Sequence, residues 1–359
     1  MNHENKTDGG TTMLKLLGHI VPVGDELWML SSAAEAGFRV RGATKVLLRL
    51  KADNTVNQPE TEILRPRYAV HLDGETILDA RMSAPEETVT VFEGTEKRDA
   101  AVRLVKLSEC TQSVMALAGI ETDGTVEALP EKALKIEFIG DSITCGYGVE
   151  GKSENEDFTT ATENAEKAYG CLTAKALDAD AVLTCFSGHG LVSGYTDDPQ
   201  VRHDQDLVQY FYEKEGRNCF RLPCGKLPEE IDRSFAAFRP AYIVLNLGTN
   251  DMSWCVRDPE RGQMFAEAYT GFLKTIRKHN PDARILCTLG IMGTDLNDRM
   301  RQGAEAYCRE TGDTQVRILP LEDQNAARDG YGSNFHPNET TQRLLAERVT
   351  EELRKWMEA

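Results

Sequence analysis

Two grammars of apolar and polar positions divide the chain. Between about Ile20 and Glu127 the apolar residues come in short runs: FRVRG, KVLLRLKA, YAVHLDGETIL, TVTVFEG and AAVRLVKLSE. They alternate with polar residues or run briefly apolar, and pairs such as Asp73-Gly74 and Asp123-Gly124 mark turns between them. Several short strands at this spacing predict an antiparallel β-sandwich of jelly-roll type. Only AAEA, around residue 33, competes as a short helix.

After Pro130 the pattern changes. ALKIEFIG is almost continuously apolar, as a strand buried on both faces must be. Strands then alternate with helices: ENAEKAYGCLTAKAL, DAVLTCFSG, EEIDRSFAAF, YIVLNLG, RGQMFAEAYTGFLKTIRKH, ARILCTLG, DRMRQGAEAYCRETG, VRILPL and NETTQRLLAERVTEELRKWMEA. This order predicts an α/β domain with a parallel sheet between helix layers. ETDGTVEALPEK marks the boundary, which divides the chain into a sandwich domain (1–128) and an α/β domain (129–359).

Ligands of such sheets bind outside the carboxyl ends of the strands. Four loops therefore matter. Asp141-Ser142 follows the first strand; Gly188, His189 and Gly190 follow the second; Thr249, Asn250 and Asp251 follow the third; and His336 stands in SNFHPN before the last helix. Taken alone, IEFIGDSITCGYG (136–148) fits an ordinary turn as well as a nucleophile-bearing one. Together the four loops supply the parts of acyl transfer. A serine hydroxyl needs an adjacent base, most often histidine. The resulting oxyanion needs preorganised donors, which the Gly188 N–H and the Asn250 amide offer. SGHGLVSG lacks the G-x-G-x-x-G spacing of a nucleotide loop. His71 falls in a strand, His203 on the surface and His279 at a helix end, whereas His189 flanks the glycine and is a candidate pocket residue.

Composition narrows the partners. The chain has 359 residues, 40% hydrophobic and 28% charged, with a formal net charge of −17. That acidity argues against nucleic acid and anionic membranes. No run approaches the roughly 20 apolar residues of a membrane span, and the N-terminus lacks the basic start and apolar core of a secretory signal. The nine scattered cysteines suit free thiols in a reducing compartment, hence a cytoplasmic location. Cys219 and Cys224 lack metal-site spacing, so no zinc or other metal is expected.

The ordered set GDSIT, SGHGL, GTND and HPN resembles the SGNH (GDSL-type) hydrolase superfamily of esterases and lipases. FIGDSITCGYGVEG, the aromatic-HPN motif and a preceding β-sandwich are similar to carbohydrate esterase family two, whose members deacetylate xylan and glucomannan. The resemblance implies a flavodoxin-like three-layer fold with Ser142 as nucleophile and His336 as base. It further implies an oxyanion hole formed by the Ser142 and Gly188 N–H groups and the Asn250 side chain, with no cofactor. The superfamily's usual aspartate three positions before the histidine is Ser333 here. A backbone carbonyl, the Asn334 amide oxygen, Ser333 itself or the more distant Asp329 is left to orient the imidazole. Trp254, Phe335 and Tyr147 are candidates for stacking on a sugar. The expected substrate is an acetylated oligosaccharide, and self-association stays open. A generic short-chain esterase and a non-catalytic carbohydrate-binding protein are the rival readings.

Overall fold

A computed structural model describes residues 13–359; His3 and most of the N-terminal stretch read for a leader lie outside them. The first nine strands are β1 (Lys15–Leu17), β2 (Ile20–Val23), β3 (Glu26–Met29), β4 (Glu35–Ala52), β5 (Arg67–Leu72), β6 (Glu75–Arg81), β7 (Glu86–Lys106), β8 (Met115–Thr122) and β9 (Thr125–Ala128). They form one antiparallel sheet in the order β2-β3-β8-β4-β7-β5-β6, with β1 and β9 also paired to β4. Phe38, Leu48, Tyr68, Val102, Leu104 and Met115 belong to its buried cluster.

Three sequence expectations change here, the first being that TVTVFEG and most of AAVRLVKLSE lie together in the 21-residue strand β7. FRVRG and KVLLRLKA are halves of a single 18-residue strand, β4. Its register slips between Val40 and Ala43, where Gly42 takes φ +61°, so the strand bends without ending. AAEA is not helical: Ala33 has φ +55°, and the turn it makes leads directly into β4.

The second sheet is parallel: β10 (Leu134–Gly140), β11 (Ala179–Cys185), β12 (Tyr242–Asn246), β13 (Arg284–Ile291) and β14 (Val316–Asp323). The helices are α1 (Ser142–Cys145), α2 (Tyr169–Ala176), α3 (Val208–Phe211), α4 (Thr249–Cys255), α5 (Pro259–His279), α6 (Asn297–Thr311), α7 (Ala326–Asp329) and α8 (Glu339–Met357). Successive side chains of a strand point to opposite faces, and both faces here are covered. Tyr242 and Val244 join Leu345, Val349 and Leu353 of α8. Ile243 and Leu245 join Phe265 and Tyr269 of α5 and Met300 of α6. The apolar strand sequences follow from this double burial.

EEIDRSFAAF does not form the expected helix; only Pro228–Glu230 makes a single 3-10 turn. Beyond it, Ile231, Arg233 and Phe235 turn inward while Asp232, Ser234 and Ala236 are exposed. This period of two belongs to extended chain. Arg233, 7% exposed, is fixed by a 2.7 Å ion pair to the buried Glu137 of β10. That partner outweighs the helical propensity of the segment.

Strand order β11-β10-β12-β13-β14 reverses direction between β10 and β12. The crevice at the carboxyl ends of those two strands is where an open α/β sheet binds ligand. The antiparallel sheet docks nearby. Arg67 of β5 donates to the carbonyls of Ala161 (2.8 Å) and Glu163 (3.0 Å), and pairs with Glu150 at 2.6 Å.

Candidate active site

Ser142 opens α1 directly beyond β10. Asp141 caps that helix by accepting from the Ile143 N–H at 3.0 Å, and Gly146 closes it at φ +80°. This tight strand-to-helix turn leaves Ser142 5% exposed, with its Oγ 2.9 Å from His336 Nε2. The other ring nitrogen, Nδ1, lies 2.9 Å from the main-chain carbonyl oxygen of Asn334. With Nδ1 protonated against that carbonyl, Nε2 carries the lone pair that accepts the serine proton.

Of the alternatives the sequence left open, the backbone carbonyl orients the base. Asn334 takes φ +50°, ψ +47° and Phe335 φ +64°, which turns the carbonyl back towards the ring. The Asn334 side chain donates elsewhere, to the Tyr147 hydroxyl at 3.2 Å. Ser333 is fully buried, with its Oγ 3.3 Å from Thr162 Oγ1. Asp329 pairs with Arg328 at 2.6 Å. Burial pushes the His336 pKa down to about 4, with the hydrogen bonds to Asn334 and Ser333 and the charge of Glu109 opposing.

The candidate oxyanion donors come from two further loops. Gly188 adopts φ +77°, a conformation open chiefly to glycine, and its absent Cβ would face open space. Among the described residues, neither the Ser142 nor the Gly188 N–H donates to a protein acceptor. Asn250, in the first turn of α4, spends one Nδ2 hydrogen on the His189 carbonyl at 2.8 Å and keeps a second.

Asp251 of the GTND loop has a role that the sequence alone does not reveal. Fully buried, it accepts from the N–H groups of Leu191 (2.9 Å), Val192 (2.6 Å) and Ser193 (3.1 Å), and so fixes the loop that carries Gly188. A Cβ at Gly190 would fall against the Asp251 carboxylate and the Ser193 carbonyl, so only glycine lets the loop close over it. Desolvation lifts the Asp251 pKa to about 6 against these three donors. Asp141 is lifted to about 7, again by burial.

The remaining candidates divide. Tyr147 stacks on Phe158 at 3.8 Å between ring centroids and tilts against the His336 ring at 4.2 Å, so it supports the base. Phe335 is 56% exposed beside His336. His189 is buried, its Nδ1 2.9 Å from the Ser187 carbonyl oxygen, and packs against Phe186 and Phe211. Trp254 is 8% exposed, with the guanidinium groups of Arg202 and Arg261 over its ring at 5.3 and 4.5 Å. Tyr195, absent from the sequence reading, is 54% exposed, and its N–H donates to the Gly188 carbonyl at 2.8 Å. As to metals, Glu109, Cys145 and Glu163 offer ligand atoms within 4.8 Å of one another. The Nζ of the buried Lys106, whose pKa burial pulls down, donates nearby to the Ser108 carbonyl.

A parallel three-layer sheet with a serine–histidine pair at its switch point and two unspent amides beside it defines a serine hydrolase of the SGNH type. The chain belongs to the GDSL-like lipase/acylhydrolase family, whose sequence model matches residues 138–344. It is 32% identical over 289 residues to the cellulase/esterase CelE of Acetivibrio thermocellus, covering 79% of this chain and 33% of that protein. It is 29% identical over 295 residues to an acetylxylan esterase / glucomannan deacetylase of Cellvibrio japonicus, covering 80% of this chain and 76% of the relative. The chain thus spans about a third of the first relative and about three quarters of the second. The structure superposes on a family two carbohydrate esterase from Clostridium thermocellum in complex with cellohexaose. That match has a TM-score of 0.79 and 26% identity, and covers 96% of this chain and 99% of the other.

Proposed function

We propose that this chain is a carbohydrate O-acetyl esterase that removes acetyl groups from oligosaccharides of the xylan or glucomannan type. The observation that carries the reading is the 2.9 Å contact between His336 Nε2 and Ser142 Oγ, with unspent oxyanion donors alongside. Ser142 Oγ attacks the acetyl carbonyl and gives its proton to His336 Nε2. The N–H groups of Ser142 and Gly188 and the Asn250 amide receive the oxyanion. Collapse breaks the ester bond, and His336 returns the proton to the departing sugar oxygen. Water then attacks the acetyl-enzyme, His336 takes its proton, and acetate leaves with Ser142 restored. The cycle balances with substrate and water alone.

Support for a sugar comes from the relatives' activities and from two exposed rings. Phe335 adjoins the base and Tyr195 is tied to the Gly188 carbonyl. Such rings stack on the apolar C–H faces of pyranoses. Acetate release from acetylated xylo- and manno-oligosaccharides, followed by time-resolved NMR, tests the assignment. Turnover that collapses beyond propionyl esters supports it; undiminished turnover of octanoyl esters favours a generic esterase, and sugar affinity without turnover favours a binding protein.

The same reading extends to organisation and location. We take 1–128 as one domain, its described residues curled in jelly-roll fashion about their own apolar cluster, and 129–359 as the hydrolase domain. The end of β9 at Ala128 and the start of β10 at Leu134 support that division. Nine unpaired cysteines support action in a reducing compartment such as the cytoplasm.

A further inference from the structure

The segment after β7 sends one buried carboxylate across to the hydrolase loops. Glu109 is fully buried. Its Oε2 accepts from the Ser187 N–H at 2.9 Å and lies 3.5 Å from the Cys145 thiol, which donates to it. Ser187 immediately precedes Gly188, and Cys145 closes the helix that Ser142 opens. One oxygen atom thus joins the nucleophile helix to the oxyanion loop, and it comes from the loop between β7 and β8 rather than from the α/β domain. The second oxygen accepts from Gln112 Nε2 at 3.2 Å, and the Glu109 N–H donates to Glu163 at 3.1 Å, so the side chain is held on several sides.

We propose that Glu109 is a positioning residue of the esterase site: its carboxylate sets the spacing between the Ser142 helix and the Gly188 loop and places a negative charge behind the dyad. The inference rests on the Ser142–His336 reading above. Bond-forming geometry tolerates little error, since a shift of about 1 Å costs roughly 100-fold in rate. The hydrogen bond to Ser187 addresses that distance directly. The charge matters because no side-chain carboxylate touches His336 among the described residues; its Nδ1 has only a neutral carbonyl. Desolvation lowers the His336 pKa, and the hydrogen bonds to Asn334 and Ser333 and then the charge of Glu109 oppose it, so Glu109 adds to what favours the imidazolium formed when Ser142 loses its proton.

Several groups share this field. His336 meets the Ser142 hydroxyl from α1 and the Tyr147 ring from the loop after it. Glu109 is surrounded by the Cys145 thiol, Glu163, the buried Lys106 and, further off, Asp141 and His189. Burial and the neighbouring Glu109 hold Glu163 well above the usual carboxylate range, and burial pulls Lys106 down. Glu163 contacts the Glu109 backbone, not the oxyanion loop, which makes it a fair comparison.

The test compares wild type, Glu109→Gln, Glu109→Ala and Glu163→Gln on p-nitrophenyl acetate, with kcat, KM, the pH profile of kcat/KM and thermal melts. Glu109→Ala should lower kcat by about 10- to 100-fold with KM within about threefold. Glu109→Gln keeps an acceptor for the Ser187 N–H and should recover most of kcat, but its acid limb should move to lower pH. Glu163→Gln should leave that limb in place. A folded Glu109→Ala protein with wild-type kcat and an unmoved limb overturns the inference, as does a change confined to melting temperature. If the alanine variant does not fold, an unmoved limb in Glu109→Gln overturns it alone. A wild-type protein inert towards the ester refutes the esterase reading itself, whereas an active wild type with indifferent Glu109 variants refutes only this inference.

Discussion

His336 Nδ1 lies 2.9 Å from the main-chain carbonyl oxygen of Asn334, two residues earlier in the chain. A carbonyl fixes the tautomer as an aspartate would, but brings no charge. Its direction is set by the backbone at Asn334, where φ is +50°. Asparagine and glycine accept this conformation, and β-branched residues do so at a cost of about 1–2 kcal/mol. Asn334→Gly should retain kcat within about threefold, while Asn334→Val should lose roughly 10-fold or more through misorientation of the imidazole. Steady-state kinetics on folded proteins checks the contrast.

The pH profile follows from burial. His336 must be neutral to accept the Ser142 proton, and its pKa is pushed down to about 4. kcat/KM should therefore stay level from neutrality to about pH 5 and fall below it, because the profile of kcat/KM reports the free enzyme's base. A limb centred near 6.5, the ordinary value for histidine, would contradict a lowered base pKa.

Much of this site was legible because its residues stand at strand ends whose apolar runs are hard to mistake. The paired burial of Tyr242/Val244 and Ile243/Leu245 explains why YIVLNLG reads as a strand and where GTND must lie. What orients His336 was not legible in that way. A main-chain carbonyl leaves no mark in residue identity, although an asparagine two positions before the histidine hints at positive φ. Glu109 was hidden for a different reason: it lies 33 residues before Ser142, and only tertiary docking brings it to Ser187. EEIDRSFAAF misled because its helical composition yields to the Arg233–Glu137 pair.

Asn250→Ala removes a side-chain donor whose second hydrogen meets no acceptor among the described residues. The loss should appear in kcat, by about 100-fold or more, with KM nearly unchanged. Parallel kinetics of Asn250→Ala and wild type on p-nitrophenyl acetate measures it. Equal kcat values would remove Asn250 from the oxyanion hole.

Asp251 holds three consecutive backbone N–H groups of the loop that begins at Gly188. Each hydrogen bond to a charged group contributes about 1.5–3 kcal/mol, and the orphaned donors would be buried. Asp251→Ala should destabilise the protein by roughly 3 kcal/mol or more and lower kcat together with it. Denaturant unfolding and kinetics on the same preparation check both effects.

Ser142 is expected to form the acetyl-enzyme. Rapid mixing with p-nitrophenyl acetate, followed by intact-mass spectrometry of the quenched protein, tests it most directly. The expected result is a transient mass increase of one acetyl group, located on Ser142 by peptide mapping and absent from Ser142→Ala, which should also lose turnover. Undiminished turnover in Ser142→Ala, or an acetyl group mapped to another residue, would contradict it.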